Sequence, residues 1–214
     1  MSCESETRKR FSALSDTDRA HWLDAAEAEF CVHGFEKASF NRILVAAKES
    51  KGRTYHYFSG KDEMFRATLE RRAALAGAID ETAALNAGDE AGFWTEVARI
   101  CESLTAAFLA DAAFADLIRI LHREAAARRS FAVPLNALER RTGALVRAGQ
   151  SLGAVRDDLP LGLLVTVTLD LAVSIDRWFA DNTDKVPEAE AAVLSSRAFG
   201  LLAAPLLPHS EFPV

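Results

Sequence analysis

The sequence predicts an all-α fold, and three observations support that prediction. Apolar residues recur with a period close to 3.6 along almost the whole chain, and few runs alternate as β-strands do. Ala and Leu, which are strong helix formers, are abundant. The chain has 214 residues, of which 50% are apolar and 26% charged, so it can bury a sizeable core and is neither disordered nor fibrous. We therefore expect about nine helices.

Capping residues mark the first two helices. The first should begin after Ser15 or Thr17, whose hydroxyls can accept a backbone hydrogen bond. It should end at Gly34, because glycine tolerates the left-handed conformation of a helix C-terminus. Ser39 can cap a second helix that ends near Ala47. The residues before the first helix include three consecutive basic side chains and should form a basic, frayed tail.

The remaining helices follow from the same kind of boundary signal. A short third helix should cover residues 51–57, and one long helix should run from Lys61 to about residue 86, where Asn-Ala-Gly is a suitable terminator. Five further helices are separated by isolated polar residues and weak breaks. They should cover about 90–109, 112–129, 131–150, 160–181 and 187–204.

The net charge of −6 is unevenly distributed along the chain. Residues 39–61 contain five basic side chains and one acidic side chain, a local charge of +4. Residues 62–214 contain 22 acidic and 15 basic side chains, a charge of −7. Because a surface that binds a polyanion needs clustered positive charge, only the short segment is a candidate for one.

Several functional classes are excluded. The three cysteines are scattered without a CxxC pair, so we expect neither a disulfide framework nor a metal site. No catalytic or nucleotide-binding motif occurs and the five histidines are far apart, so we expect no enzyme and no cofactor. The N-terminus lacks the apolar run of a signal peptide, and the longest uncharged run of the most apolar stretch, residues 159–169, is too short to span a membrane. A cytoplasmic protein without membrane contact is expected.

Two short helices joined by a tight turn at residues 48–49, after a longer helix, are typical of a helix-turn-helix. The second short helix of that motif can enter the DNA major groove, which is about 12 Å wide. Its sequence here, SKGRTYHYF from Ser50 to Phe58, is rich in hydrogen-bond donors, and Gly52 would allow a close approach to a phosphate or base edge. On composition alone, a polar surface helix without function explains the segment equally well.

Three short motifs carry a family resemblance. They are Ala38-Ser39-Phe40, the run ILVAA over residues 43–47, and SKGRTYHYFSGKDEMF over residues 50–65. Their spacing fits a Gly-Phe turn, a Ser-capped helix, a turn, Gly-x-x-Tyr-x-x-Phe and a Lys-Asp pair, without insertion or deletion. The block from residue 19 to 71 thereby resembles the DNA-binding domain of the tetracycline-repressor (TetR) family. The resemblance implies a helix-turn-helix domain over 1–60 and a larger helical ligand-binding and dimerisation domain over 61–214.

The resemblance also implies which residues contact DNA. Ser39 would cap its helix and touch a phosphate, Lys61 would meet the DNA backbone, and Tyr57 stands where the family often has a phosphate-contacting His. Arg53 would read sequence by donating to guanine O6 and N7, or would contact phosphates only. The basic tail could also lie along DNA. The full implied set is Ser39, Ser50, Lys51, Gly52, Arg53, Thr54, Tyr55, His56, Tyr57 and Lys61.

Two residues depart from the family pattern. Lys48 occupies the turn position usually held by Gly, so the turn either has a relaxed geometry or is slightly strained by a positive φ at this residue. Glu49 replaces the usual apolar residue, and would repel DNA if it faced a phosphate. Neither change removes a contact residue, although both put DNA affinity in question.

The C-terminal part is expected to dimerise. The helix over about 160–181 is apolar on more than one face and must therefore be covered on all sides. Together with the last helix it would form half of a four-helix bundle across a two-fold axis, as the resemblance also implies. The interface residues expected on these helices are Leu164, Leu171, Trp178, Val193, Leu194, Phe199 and Leu201.

The resemblance suggests that the middle helices line a ligand cavity, although ordinary core explains each apolar residue singly. Polar groups in apolar surroundings are better indicators, because a ligand can supply the partner that a buried polar atom needs. Asp170 could instead pair across the dimer. A scarcity of basic residues favours an apolar or cationic effector. The expected lining is Trp94, Val97, Cys101, Leu104, Phe108, Phe114, Ile118, His122, Thr166 and Asp170.

Taken together, these features predict a bacterial, nucleoid-associated transcriptional regulator of the cytoplasm. The favoured form is a homodimeric repressor that binds a palindromic double-stranded DNA operator and is released by a small molecule. The alternative is a helical small-molecule-binding or interaction protein with a degenerate DNA-binding head, which the residues at 48 and 49 motivate.

Overall fold

The computed structural model describes residues 3–75, 80–182 and 185–208, and this part is helical without β-strands. The all-α prediction is confirmed, although the described part contains twelve α-helices rather than about nine. They are α1 Cys3–Ser12, α2 Asp16–Lys37, α3 Phe40–Ala46, α4 Lys51–Tyr57, α5 Lys61–Leu75, α6 Thr82–Leu85, α7 Glu90–Ala110, α8 Ala112–Arg123, α9 Ala125–Ser130, α10 Ala132–Ser151, α11 Leu161–Asn182 and α12 Glu188–Ala203, followed by a 3-10 turn, Ala204–Leu206.

The helices form two compact units. The first lies within residues 1–76 and 111–132 and contains α1 to α5, α8 and α9. The second lies within residues 77–110 and 133–214 and contains α6, α7 and α10 to α12. The chain therefore leaves the first unit after α5 and returns to it for α8 and α9. A functional boundary at residue 60 stays a prediction.

The expected basic tail is instead helix α1, which packs within the first unit. Phe11 is buried, and its ring centre lies 4.4 Å from that of Phe58 and 6.2 Å from that of Trp22. The buried hydroxyl of Thr7 donates a hydrogen bond of 2.8 Å to the buried carboxylate of Glu63. The prediction of a frayed tail is wrong because one aromatic side chain and one buried hydrogen bond anchor a segment whose composition is mostly polar.

At the ends of α2, the predicted N-terminal cap is confirmed, whereas the predicted left-handed C-terminal cap at Gly34 is not. The Ser15 hydroxyl accepts a hydrogen bond of 3.1 Å from the backbone N–H of Asp18, as an N-cap should. Gly34 has a positive φ of 71°, with ψ at 177°, so the chain breaks the helix there and makes a further turn to Lys37. This φ/ψ region is extended rather than left-handed helical, and it is essentially restricted to glycine.

Two predicted helices are shorter than expected. The helix expected from 61 to about 86 is interrupted within the described residues: Lys61–Leu75 is helical, residues 80 and 81 are not, and a separate helical turn begins at Thr82. The Asp80 carboxylate accepts the Thr82 N–H at 2.9 Å, a local bond that competes with helix continuation. The helix expected over 112–129 is divided into α8 and α9 at Glu124, whose backbone is extended and whose carboxylate is used elsewhere.

Each unit has its own apolar core. In the first, the aromatic rings of Phe30, Phe35 and Phe65 pack with centres 5.0–6.1 Å apart, next to fully buried Met64 and Leu117. Within the described residues, no helix is both long enough and apolar enough to cross a membrane. The buried cluster of the second unit comprises Phe93, Val146, Ala154, Val155, Leu164, Val165 and Leu206.

Candidate nucleic-acid interface

Helices α3 and α4 each begin at a serine whose side chain caps the helix. The Ser39 hydroxyl accepts the backbone N–H of Arg42 at 3.4 Å, and the Ser50 hydroxyl accepts that of Arg53 at 3.2 Å. Both caps agree with the sequence prediction. The entry to α3 is fixed further by Glu29, which accepts the Ser39 N–H at 2.7 Å. A side-chain hydrogen bond from Arg42 lowers the pKa of this carboxyl below its usual value.

The turn between α3 and α4 adopts a strained conformation at Lys48. Its φ is 57°, the one positive φ of a non-glycine residue in the described chain. The Lys48 N–H donates to the Val45 carbonyl at 3.1 Å and the Glu49 N–H to the Leu44 carbonyl at 3.0 Å. This pair of bonds is the Schellman ending of a helix, in which glycine is preferred at the position of Lys48. Of the two outcomes that the sequence left open, a relaxed turn or a slightly strained one, the structure has the strained one.

Replacing Lys48 by Gly is expected to raise the free energy of unfolding by about 1 kcal/mol, because a left-handed backbone costs an L-residue about 1–2 kcal/mol. Urea unfolding measures the change. Lys48→Ala is the matched control, since it removes the charge and keeps the strain. A glycine variant no more stable than the alanine variant would contradict this reason.

The Glu49 carboxylate is turned into the protein. Its carboxylate side chain is 9% exposed and accepts a hydrogen bond of 2.8 Å from an Nη of Arg53. The same oxygen lies 2.8 Å from Nε2 of His21 on α2. The Arg53 guanidinium in turn lies over the ring of Trp22, 5.1 Å from its centre. The repulsion expected between Glu49 and phosphate is therefore reduced by two nearby basic side chains.

The predicted contact residues of α4 divide into an outer and an inner set. Lys51, Gly52, Tyr55 and His56 are exposed. Thr54 is fully buried, where its hydroxyl donates to the Ser50 carbonyl at 3.0 Å and accepts the Trp22 indole N–H at 3.3 Å. It therefore fastens α4 to α2 and is not accessible to DNA in this structure.

The inner set also includes the end of α4. Tyr57 is half-buried, with its ring centre 5.2 Å from that of Trp22, and Phe58 is buried as expected of a core residue. Tyr55 packs its ring against Phe40 of α3, 5.5 Å away between centres. Aromatic contacts thus set the angle between α4 and its neighbours.

Lys61 is engaged inside the protein. Its ammonium donates to the backbone carbonyls of Phe35 at 2.7 Å and of Glu36 and Ala38 at 3.2 Å each. It also lies 4.7 Å from the centre of the Phe35 ring. An ammonium has three donors, so the predicted phosphate contact requires at least one of these bonds to be exchanged.

Glu124 binds the backbone N–H groups of the same turn. Its two carboxylate oxygens accept the backbone N–H groups of Phe35 at 3.2 Å and Glu36 at 2.7 Å. The turn that leads from α2 into α3 is therefore fixed by a cation on its carbonyls and an anion on its N–H groups. Sequence reasoning missed Glu124, because no local pattern links it to a turn about 90 residues away.

The predicted ligand-pocket residues fall in both units. Trp94, Val97, Cys101 and Leu104 are half-buried on α7 of the second unit. Thr166 and Asp170 on α11 are exposed in the single chain, so they do not line an interior cavity of the second unit. The Phe108 side chain lies outside those that the structure describes. On α8 of the first unit, Phe114 is buried, and Ile118 and His122 are half-buried.

The sequence analysis missed a half-buried acid of the second unit. Burial raises the pKa of Asp176 on α11 to about 7. Burial, with a contribution from this carboxyl, raises the pKa of the Cys101 thiol to about 11. The available signal was the same as for Asp170, an acidic residue in a mostly apolar helix.

The Cys31 thiol is unreactive. Burial raises the pKa of Cys31 to about 11, so its thiolate is scarcely populated at neutral pH. Among the described side chains, no group of three His, Cys, Asp or Glu residues is arranged to hold a metal ion.

The predicted dimer residues differ in exposure. Leu164 is buried in the core of the second unit and offers no surface to a partner. Leu171, Leu194 and Phe199 are half-buried, and the Phe199 ring centre is 6.2 Å from that of Trp94. Within the predicted set, the side chains that are exposed are Trp178, Val193 and Leu201.

The helix-turn-helix is matched by a family model. The model for bacterial regulatory proteins of the tetR family matches residues 23–68, which span α3, α4 and parts of α2 and α5. Residues 23–68 are thereby identified as a DNA-binding segment of the TetR type. A TetR-family protein is a DNA-binding transcriptional regulator, which is not an enzyme class.

Known proteins resemble this chain well beyond the matched segment. It is 28% identical over 170 residues to the HTH-type transcriptional repressor SCO4008 of Streptomyces coelicolor, covering 76% of this chain and 78% of the relative. The fold is similar to FadR of Bacillus subtilis in complex with stearoyl-CoA, with a TM-score of 0.69, 15% identity, and coverage of 87% and 98% of the two chains. It is also similar to NalD, the secondary repressor of the MexAB-OprM multidrug efflux pump of Pseudomonas aeruginosa, with a TM-score of 0.69, 14% identity, and coverage of 91% and 98%.

Proposed function

We propose that this regulator is a homodimeric repressor that binds a palindromic operator and is released by a small molecule. The observation that supports DNA reading is the arrangement of α4, which is tied to the core through Thr54 and Phe58 and exposes Lys51, Tyr55 and His56. The name of the Streptomyces coelicolor relative supports repression. Such a protein would act on the nucleoid, in the bacterial cytoplasm.

Dimerisation is supported by apolar surface on the last two helices. Trp178, Val193 and Leu201 are 48%, 51% and 65% exposed in the single chain. A partner that covered them would remove this apolar area from water. It would also provide a second α4, so that two helices read successive major grooves about 34 Å apart.

An effector site in the second unit is supported by buried polar groups. The indole N–H of Trp94 is buried without a hydrogen-bond partner, and the burial of Asp176 disfavours its ionised form. A ligand that accepts from the indole, or a cation that pairs with the carboxylate, would relieve either cost. An apolar or cationic effector would suit these two groups. The FadR and NalD relatives show that a stearoyl-CoA complex and an efflux-pump repressor occur on this fold.

Binding-site selection from a randomised duplex pool tests the proposed function. We expect the selected sites to be palindromic, and Tyr55→Ala to weaken binding about tenfold or more, because an aromatic side chain exposed on α4 would lose its contacts with DNA. Fluorescence anisotropy measures the affinity. Arg99→Ala, on the surface of the second unit, is the control and should bind as the natural chain does.

The oligomeric state is tested separately by light scattering at micromolar concentration. A dimer is expected. A monomer that still binds DNA, or selected sites without two-fold symmetry, would refute the palindromic arrangement while leaving DNA binding intact.

A further inference from the structure

The Arg53 guanidinium is held against the protein by side chains from α2 and from the turn before α4. One Nη donates to Glu49 Oε1 at 2.8 Å, and the guanidinium carbon lies 5.1 Å from the Trp22 ring centre. His21 approaches the same Glu49 oxygen at 2.8 Å and packs on Trp22, with ring centres 4.1 Å apart. These four side chains, His21, Trp22, Glu49 and Arg53, form one cluster that we name the Arg53 latch.

The latch differs from an ordinary surface ion pair. The Glu49 side chain is only 9% exposed, and its backbone is fixed by the hydrogen bond from its N–H to the Leu44 carbonyl. A carboxylate removed from water needs cationic or hydrogen-bonding partners. If Arg53 moved to DNA, the carboxylate would retain only His21 of these two partners. The position of the guanidinium over Trp22 is therefore favoured.

The other outer side chains of α4 differ from Arg53 in this respect. Lys51, Tyr55 and His56 are exposed along the same helix, whereas Arg53 is drawn back over the ring of a fully buried residue. Arg53 is itself 53% exposed, so the latch, and not burial, is what restrains it.

We propose that Glu49 is a specificity-determining residue: it holds Arg53 against Trp22, keeps this guanidinium from the bases, and leaves base reading to Lys51, Tyr55 and His56. The proposal rests on the DNA-binding role of α4. It gives the departure from the family pattern at residue 49 a function, because an apolar residue there could not retain an arginine at residue 53.

Removing the carboxylate should release Arg53 to DNA. Glu49→Gln keeps the size of the side chain and removes its charge. A released guanidinium can contact a phosphate, which steepens the fall of log affinity with log salt by about 0.9 for each new contact. It can also take guanine O6 and N7 together, which adds a guanine preference that the natural chain lacks.

The experiment is a double-mutant cycle of Glu49→Gln and Arg53→Ala. Thermal melting followed by circular dichroism confirms that each variant is folded. Anisotropy with a random-sequence duplex of about 30 bp, at several salt concentrations, should show at least threefold tighter binding and a steeper salt slope for Glu49→Gln. Arg53→Ala should bind within about twofold of the natural chain, and the double variant should match Arg53→Ala. Selection should return the same sites for the natural chain and Arg53→Ala, and sites with an added guanine for Glu49→Gln.

Three results would overturn the proposal. A tenfold loss of affinity or a relaxed base preference in Arg53→Ala would show that Arg53 already reads DNA. Equal tightening by Glu49→Gln with and without Arg53 would show that only the repulsion of a carboxylate was removed.

Should Glu49→Gln fail to fold, the affinity and base preference of Arg53→Ala still decide between these outcomes. A natural chain that binds no duplex at low salt would overturn DNA binding itself, and is recognised before any variant is measured.

Discussion

Gly34→Ala is expected to lower the free energy of unfolding by about 2–6 kcal/mol, because two costs add at this position. The φ of 71° with ψ of 177° lies in a region essentially restricted to glycine, and forcing another residue into it costs about 1–3 kcal/mol. A Cβ at residue 34 would also lie 2.4 Å from Glu124 Oε1. That carboxylate would have to move and lose its bonds to the N–H groups of Phe35 and Glu36, a further cost of about 1–3 kcal/mol.

Urea unfolding of the full chain measures this loss as a lower midpoint. Gly52→Ala is a matched control in the same unit, because a Cβ there meets nothing within 4 Å and its φ is not positive, so stability should stay equal or rise slightly. Placing Gly34→Ala in a Glu124→Ala background separates the two costs, since only the backbone strain should remain. An unchanged midpoint for Gly34→Ala would refute the account of this turn.

Lys61→Met is expected to lower the free energy of unfolding by about 1.5–3 kcal/mol and to weaken DNA binding at least tenfold. Three backbone carbonyls of the turn between α2 and α3 lose their only charged donor, and hydrogen bonds to charged groups contribute about 1.5–3 kcal/mol. Methionine keeps most of the apolar side chain, so lost packing is a minor part of the change. DNA binding should fall because α3 begins directly after this turn and α3 supports α4.

Lys51→Met is the control for this prediction. Lys51 is exposed on α4, so its replacement should weaken DNA binding and leave the urea midpoint unchanged. If Lys61→Met behaved in the same way, with full stability and reduced affinity, the ammonium would act as a phosphate contact, as the family resemblance implies. Measuring unfolding and anisotropy on both variants therefore distinguishes a structural lysine from a DNA contact.

The turn between α3 and α4 shows how far sequence reasoning can reach. The positive φ at Lys48 and the caps at Ser39 and Ser50 were predictable, because helix ends depend on the few residues around them. The direction of the Glu49 carboxylate was not predictable. It depends on His21, which lies 28 residues earlier in the chain and is brought close only by the packing of α2.

The same distinction applies to the predicted contact residues of α4. Thr54 was predicted to contact DNA, like its exposed neighbours, because its hydroxyl can donate a hydrogen bond. The structure uses that hydroxyl to join Ser50 and Trp22, inside the protein. Helix α1 was missed for a related reason: Phe11 is a single apolar residue in a polar segment, and its burial among Trp22, Tyr57 and Phe58 is a property of the packed unit.

The sequence by itself determined the helical class, the caps, the glycine at the end of α2 and the family of the DNA-binding segment. These features depend on hydrogen bonds and periodicities within a few residues, so they are present in the local pattern. Only the tertiary structure decided which charged side chains remain available to DNA. Arg53 and Lys61 look alike as basic residues of the +4 segment, yet one lies on Trp22 and the other on three carbonyls. Their partners come from α2 and the turn that follows it, and charge in a sequence does not specify the partner that packing supplies.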